Sequence, residues 1–214
     1  PTAKPYIALA YYANNARLMA KYSRILMAKA GDFYARRAAH YEALHRHLRG
    51  VFAGRYVREG NLTETSQTAY LLALHFDLLD EPARGEAIRA LTEKIRGNGN
   101  TLSTGFLGTG ILAQTLSEVG LTGLAYSLLL QTRDPSWLYS VRQGATPIWQ
   151  RWNSFTRERG LGDVNMNSFN HYAYGAVAEW LFTTAAGIRP DPEAPGFTHL
   201  IFAPEPDLRR PEDI

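Results

Sequence analysis

Five side chains in two short runs offer chemistry. Residues 145–154 read Ala-Thr-Pro-Ile-Trp-Gln-Arg-Trp-Asn-Ser, setting a carboxamide, Gln150, and a guanidinium, Arg151, between two indoles, Trp149 and Trp152. Residues 168–172 read Ser-Phe-Asn-His-Tyr and place an imidazole, His171, 21 residues after Gln150. An amide donates and accepts hydrogen bonds but takes up no proton at neutral pH, so Gln150 can bind and orient without serving as a general base. Indoles supply flat apolar walls. A histidine can bind a ligand or simply be satisfied within a packed helix. The carboxylates of the same loop are Glu158 and Asp163.

The rest of the chain must hold these groups, and its pattern is helical. Over residues 6–30, Ile7, Ala10, Tyr11, Leu18, Tyr22, Ile25 and Leu26 recur at three- and four-residue steps, and Gly31 closes the segment. Asp32 suits the N-cap of a second helix to residue 52, with Tyr34, Ala38, Tyr41, Leu44, Leu48 and Val51 inward. Further helices are expected over 67–79, 82–96, 108–119, 122–131 and 136–143. A last one over 168–186 carries Phe169, Tyr172, Ala176, Trp180 and Thr183, and Gly187 stops it, making about eight in all. No fixed repeat length appears, which favours a closed ring of helical hairpins over a solenoid. Beyond Gly187 come Pro190, Pro192 and Pro195, one β-prone run over 197–202, and a charged, proline-rich tail.

Composition bounds the function. A chain of 214 residues with 45% apolar content can bury a sizeable core. Its formal charge of +3 comes from 23 basic and 20 acidic side chains in mixture, without the basic block of a nucleic-acid or membrane binder. Cysteine is absent, which excludes disulfides and thiolate metal sites. His40, His45, His47, His75 and His199 stand in no metal-binding arrangement. The glycines of residues 103–110 match no phosphate-binding loop. Neither a signal-peptide core nor a membrane span occurs, and the compartment stays open.

The two runs join Ser66-Gln67-Thr68-Ala69-Tyr70, Ser103-Thr104-Gly105-Phe106-Leu107-Gly108-Thr109, Pro135-Ser136-Trp137-Leu138-Tyr139, Arg142-Gln143-Gly144-Ala145-Thr146 and Gly187-Ile188-Arg189-Pro190-Asp191. In that order they resemble the α-L-rhamnosidases, a family of inverting glycoside hydrolases. The resemblance implies a mainly α fold, an (α/α)6 barrel, of which residues 1–188 are the C-terminal portion and about the last two thirds. Residues 189–214 would be a linker and the first strand of a C-terminal β-sandwich. The implied activity is hydrolysis of terminal α-L-rhamnosyl residues with inversion. Rhamnose-containing glycosides or polysaccharides would be the partners, with no cofactor, metal, nucleic acid or membrane; the remaining barrel or a second copy is a further possible partner.

By the same resemblance Gln150 stands where the family carries its glutamate base, and His171 matches a histidine that hydrogen-bonds a rhamnose hydroxyl. Trp149 or Trp152 would wall the sugar subsite or fill space; Arg151 would orient the base position or, as favoured, brace the loop. Glu179 reads as one end of a helix-to-loop salt bridge. The family's acid lies in an Arg-Asp-Glu-Arg stretch with no counterpart in this chain, since Arg157-Glu158-Arg159 falls on the wrong side of the base loop. Three accounts of Gln150 stand: an introduced replacement, natural loss of the base, or a base relocated to Glu158 or Asp163. Pro147, where the family more often has a β-branched residue, favours natural divergence. The alternatives to an active hydrolase are a catalytically inactive or truncated sugar-binding or structural domain, and an unrelated six-hairpin enzyme.

Overall fold

Two long helices begin the chain in the computed structural model, which describes residues 1–194 and 196–209. The chain divides into two compact units, Pro1–Thr92 and Glu93–Ile214.

In the first unit α1 (Lys4–Ala30) packs along α2 (Asp32–Tyr56). Ala10, Ala13, Ala16 and Ala20 are buried on α1, and their small size lets the helices approach closely. Tyr6, fully buried, meets Phe52 and Tyr56 edge-on and donates its hydroxyl to Ala69 O at 2.8 Å. Gly31, at φ 63°, serves both helices as cap, so the expected cap Asp32 stands instead in the first turn of α2 with no side-chain cap hydrogen bond. There its charge still complements the helix dipole. The apolar stripe of α1 is buried only in its first half: Tyr22 and Ile25 are 52% and 57% exposed.

A hairpin of β1 (Val57–Arg58) and β2 (Asn61–Leu62) follows, turning through Glu59 and Gly60 at positive φ. Next comes α3 (Gln67–His75), capped by Ser66 Oγ, which accepts from Ala69 N–H at 3.0 Å. Residues 67–74 are all buried, the polar Gln67 and Thr68 of the first turn included. The division between the units falls within α4 (Ala83–Gly97).

The second unit contains α5 (Phe106–Glu118), α6 (Thr122–Leu129) and α7 (Trp137–Gln143). Ser136 Oγ caps α7 by accepting from Tyr139 N–H, and Gly144 at φ 105° ends it. A second hairpin, β3 (Phe155–Thr156) with β4 (Gly160–Leu161), interrupts the loop that follows. The last helical stretch differs from the expected one. It starts at Tyr172 as a 3-10 turn, continues as α8 (Val177–Trp180), and loosens into a π-type turn over Leu181–Ala185. Residues 168–170 stay out of it because Ser168 is tied to Gln150, and Tyr172 is 87% exposed instead of inward. Trp180 joins the helices of this unit: it is buried, donates Nε1–H to Ser117 Oγ at 2.9 Å and meets Tyr126 edge-on.

The expected strand is real and has a partner, β5 (Ile188–Pro190) pairing antiparallel with β6 (Leu200–Phe202). A Cβ on Gly187 would lie 2.1 Å from the backbone of Ala203 and Pro204, so glycine alone permits this approach. Tyr126 and Thr122 of α6 hold the tail through Glu205. Pro195 and residues 210–214 of the tail region lie outside the described residues. No described helix is long and apolar enough to cross a membrane.

Candidate functional site

Once Gly144 has ended α7, residues 145–171 contain no helix, so their backbone groups need other partners. They find them across the loop. Gln150 N–H donates to Ser168 O at 2.9 Å, and His171 N–H donates to Ile148 O at 2.8 Å. Ser168 N–H donates in return to the Gln150 side-chain Oε1 at 2.9 Å. Ser154, fully buried, closes a tight turn on Arg151 through its backbone N–H and hydroxyl. Its carbonyl accepts from Gly162 N–H and from Asn167 Nδ2. A Cβ on Gly162 would stand 3.1 Å from Ser154 O and 3.2 Å from Asn153 O, so a side chain there would press two backbone carbonyls aside.

Beneath this loop lies an aromatic stack. Trp152 lies flat on Tyr174 at 3.9 Å with an interplanar angle of 5°, and Trp137 meets Trp152 edge-on at 5.2 Å. Trp137 Nε1–H donates to Tyr174 O, and the Ser140 hydroxyl to Trp152 O, so these polar groups of the stack are paired as well. Trp149 meets Phe155 and Phe169 edge-on. Trp149 and Trp152 are only 6% and 8% exposed, and both line an apolar pocket of about 200 Å³ with Trp137 and Tyr174.

A larger cleft of about 440 Å³ opens beside the loop, lined by Gly105, Phe106, Gln150, Arg151, Asp163, Asn165, Met166 and Tyr174. The Ser168 N–H needs an acceptor, which orients the Gln150 amide and leaves Nε2 with no partner among the described residues. Asp163 Oδ1 accepts from Asn165 N–H and Nδ2–H, and Oδ2 has no partner among the described residues. Arg151 forms no ion pair among the described residues. Burial pushes the Tyr174 hydroxyl above its ordinary value, with the Arg151 charge pulling the other way. Burial likewise raises the Asp134 carboxyl, opposed by a hydrogen bond from Asn153 and by Arg151.

His171 Nδ1 accepts from Ala173 N–H at 3.3 Å at the start of the 3-10 turn, so the neutral ring carries its proton on Nε2. The ring stacks on Phe106 at 4.7 Å and on Tyr172 at 5.5 Å.

Of the residues singled out in the sequence, Gln150, Arg151 and Asp163 share the cleft, and His171 reaches it through Phe106. The two indoles do not line it. Glu158 lies exposed in the β3–β4 turn, and Glu179 is exposed with no ion pair among the described residues. Phe106 and Tyr174 are lining residues that the sequence reading passed over; nothing in one dimension brings residue 106 beside residue 171. Among the described residues no three His, Asp or Glu side chains are grouped to hold a metal ion.

Known proteins resemble this chain over nearly all its length. An alpha-L-rhamnosidase of Formosa agariphila is 42% identical over 191 residues, which cover 88% of this chain and 20% of that protein. One from Streptomyces avermitilis is 38% identical over 206 residues, or 96% of this chain and 19% of the relative. The crystal structure of the Streptomyces avermitilis alpha-L-rhamnosidase complexed with L-rhamnose superposes with a TM-score of 0.83, covering 94% of this chain and 19% of that one. The native enzyme from Aspergillus terreus gives a TM-score of 0.84 at 32% identity, covering 92% of this chain and 22% of its own. The chain thus spans about one fifth of the length of these relatives. Residues 1–185 match the model of the bacterial alpha-L-rhamnosidase six-hairpin glycosidase domain, and this mainly helical chain belongs to that family.

Proposed function

We propose that this chain forms the C-terminal portion of the catalytic barrel of an α-L-rhamnosidase over residues 1–188, with residues 189–214 leading into a β domain. Inverting hydrolysis needs an acid on the leaving oxygen and a carboxylate base on the other face, roughly 6.5–9.5 Å apart with room for water. The observation that carries the reading is the cleft in which the Gln150 side chain, anchored by Ser168, meets Asp163, Tyr174 and Arg151. A glutamate at position 150 would accept the Ser168 N–H with one oxygen and turn the other to water in the cleft. Gln150 keeps that anchor but presents an amide NH2, so it can hold a sugar hydroxyl or a water oxygen without taking a proton. His171, with Nε2–H free, would donate to a rhamnose hydroxyl, while Trp149 and Trp152 support the loop from below.

A second reading rests on Asp163: its Oδ2, without a partner among the described residues, stands in the same cleft and makes it the carboxylate best placed to act as a relocated base. Nitrophenol release from an aryl α-L-rhamnoside tests both. The assay compares the chain alone with a chain completed by the N-terminal residues of the Streptomyces avermitilis relative, each with and without Gln150→Glu. We expect Gln150→Glu to raise the completed enzyme's rate about 10²- to 10⁴-fold, the usual worth of a general base. Equal rates with Gln150, lost on Asp163→Asn, would move the base to Asp163. No release in any form would leave a sugar-binding domain without turnover.

A further inference from the structure

We infer that Phe106 is the aromatic platform of the sugar subsite in this cleft, and that it sets the orientation of the His171 ring. The inference rests on the rhamnosidase reading above and names a substrate-binding residue for it. A pyranose lacking the 6-hydroxyl carries a methyl group and a face of C–H bonds, and such a surface seeks a flat apolar partner with hydrogen-bonding groups at its rim. Trp149 and Trp152 are committed elsewhere, to Phe155 and Phe169 and to the Trp137–Tyr174 stack, and neither lines the cleft. Phe106 does line it and is only half-buried. It is the first residue of α5, after Gly105, so its position is set by a rigid element and not by the loop.

The His171 imidazole takes one side of the Phe106 ring at 4.7 Å and 28°, and Tyr174 meets it at 67°. With Nδ1 fixed by Ala173 N–H, a ring stacked on Phe106 has only Nε2–H left to offer. The apolar ring and the donor therefore stand side by side, and a deoxy sugar presents the matching pair, a C–H face edged by hydroxyls.

Titration of the chain with L-rhamnose, followed by calorimetry, tests this with Phe106→Leu, Phe106→Tyr and His171→Ala. Leucine keeps apolar volume but removes the flat ring, and tyrosine restores it. We expect Phe106→Leu to bind about tenfold more weakly and Phe106→Tyr to stay close to the parent. Near-ultraviolet circular dichroism of the Trp152–Tyr174 stack should be unchanged in both. NMR of the imidazole should show the His171 ring signals shifting and broadening in Phe106→Leu alone, as the ring loses the partner that holds its orientation. Parent-like binding by Phe106→Leu, with loss in His171→Ala, overturns the platform and leaves the sugar site standing. Equal loss in Phe106→Leu and Phe106→Tyr also overturns it. A parent that binds no rhamnose, either alone or completed as in the assay above, removes both the platform and the reading it rests on.

Discussion

The α1–α2 hairpin consists of two helices of 27 and 25 residues, with small alanines in its seam and large apolar side chains such as Tyr22 and Ile25 left exposed. The segment from 145 to 171 is nearly the reverse. It has almost no regular structure, yet Trp149, Trp152 and Ser154 are buried and its backbone is clamped at Ile148, Gln150, Ser154 and Ser168. In a helix the backbone satisfies itself, so side chains are free to face anything. In an irregular loop each backbone group depends on a particular partner, so the side chains are held as firmly as the chain. A catalytic family would place its chemistry on the second kind of scaffold, where a cleft residue such as Gln150 also belongs to the clamp.

That contrast can be broken most forcefully at the stack. Trp152→Ala should destabilise the second unit by about 3–5 kcal/mol, seen as an early unfolding step in urea, because truncation leaves a cavity against Tyr174 and Trp137. A loss under about 1 kcal/mol would mean that the loop does not rest on its aromatics. Gly162→Ala comes next, at about 1–3 kcal/mol, since its Cβ must displace two carbonyl oxygens. Gln150→Ala removes one acceptor from Ser168 N–H and should cost about 1 kcal/mol, whereas Gln150→Glu should cost less, both read from thermal unfolding. On the other side of the contrast, Ile25→Ser should change unfolding by under about 0.5 kcal/mol and reduce self-association in sedimentation, because it shrinks an exposed apolar face.

The smallest effects are pH slopes, and a titrating group in each of the two units should show opposite signs. Burial, then the charges of Arg49 and Arg17, hold His45 of α2 below its ordinary 6.5, with Asp77 opposing. The unfolded chain binds that proton first, so stability is lost as pH falls from 6.5 toward the lower folded value, and His45→Gln should flatten the loss. Asp134, before α7, has its carboxyl raised above 3.8 chiefly by burial. Here the folded chain keeps the proton longer, so stability is lost as pH rises from 3.8 through the folded value, and Asp134→Asn should remove that slope. Denaturant midpoints across pH 3 to 8 would show matching slopes if the two settings were alike.

Helices were legible wherever glycine or proline punctuated an apolar period, as at Gly31 and Pro82, while the caps Ser66 and Ser136 and the stop at Gly144 came from the structure. The β1–β2 and β3–β4 hairpins escaped notice because strands of two residues carry no readable alternation. The last helix was read four residues too early because periodicity sees side chains alone, and residues 168–170 are governed by backbone bonds to a loop some twenty positions back. In the site, Gln150 and His171 could be named because their local runs are distinctive. Phe106 and Tyr174 could not: Phe106 lay in a glycine-containing run before the expected helix, Tyr174 inside one where an aromatic residue ordinarily reports a core, and nothing local joins them to the loop.

The sequence by itself determined the helical class, the family and the identity of the side chain at position 150, because each of these is written in local pattern and residue type. Only the tertiary structure decided which aromatic residues face the cleft and which are buried supports, that Asp163 and not Glu158 shares the cleft with Gln150, and which nitrogen of His171 is free. Those are properties of distance and direction between residues far apart in the chain. Packing and paired backbone groups set them, and no spacing along one strand of sequence encodes them.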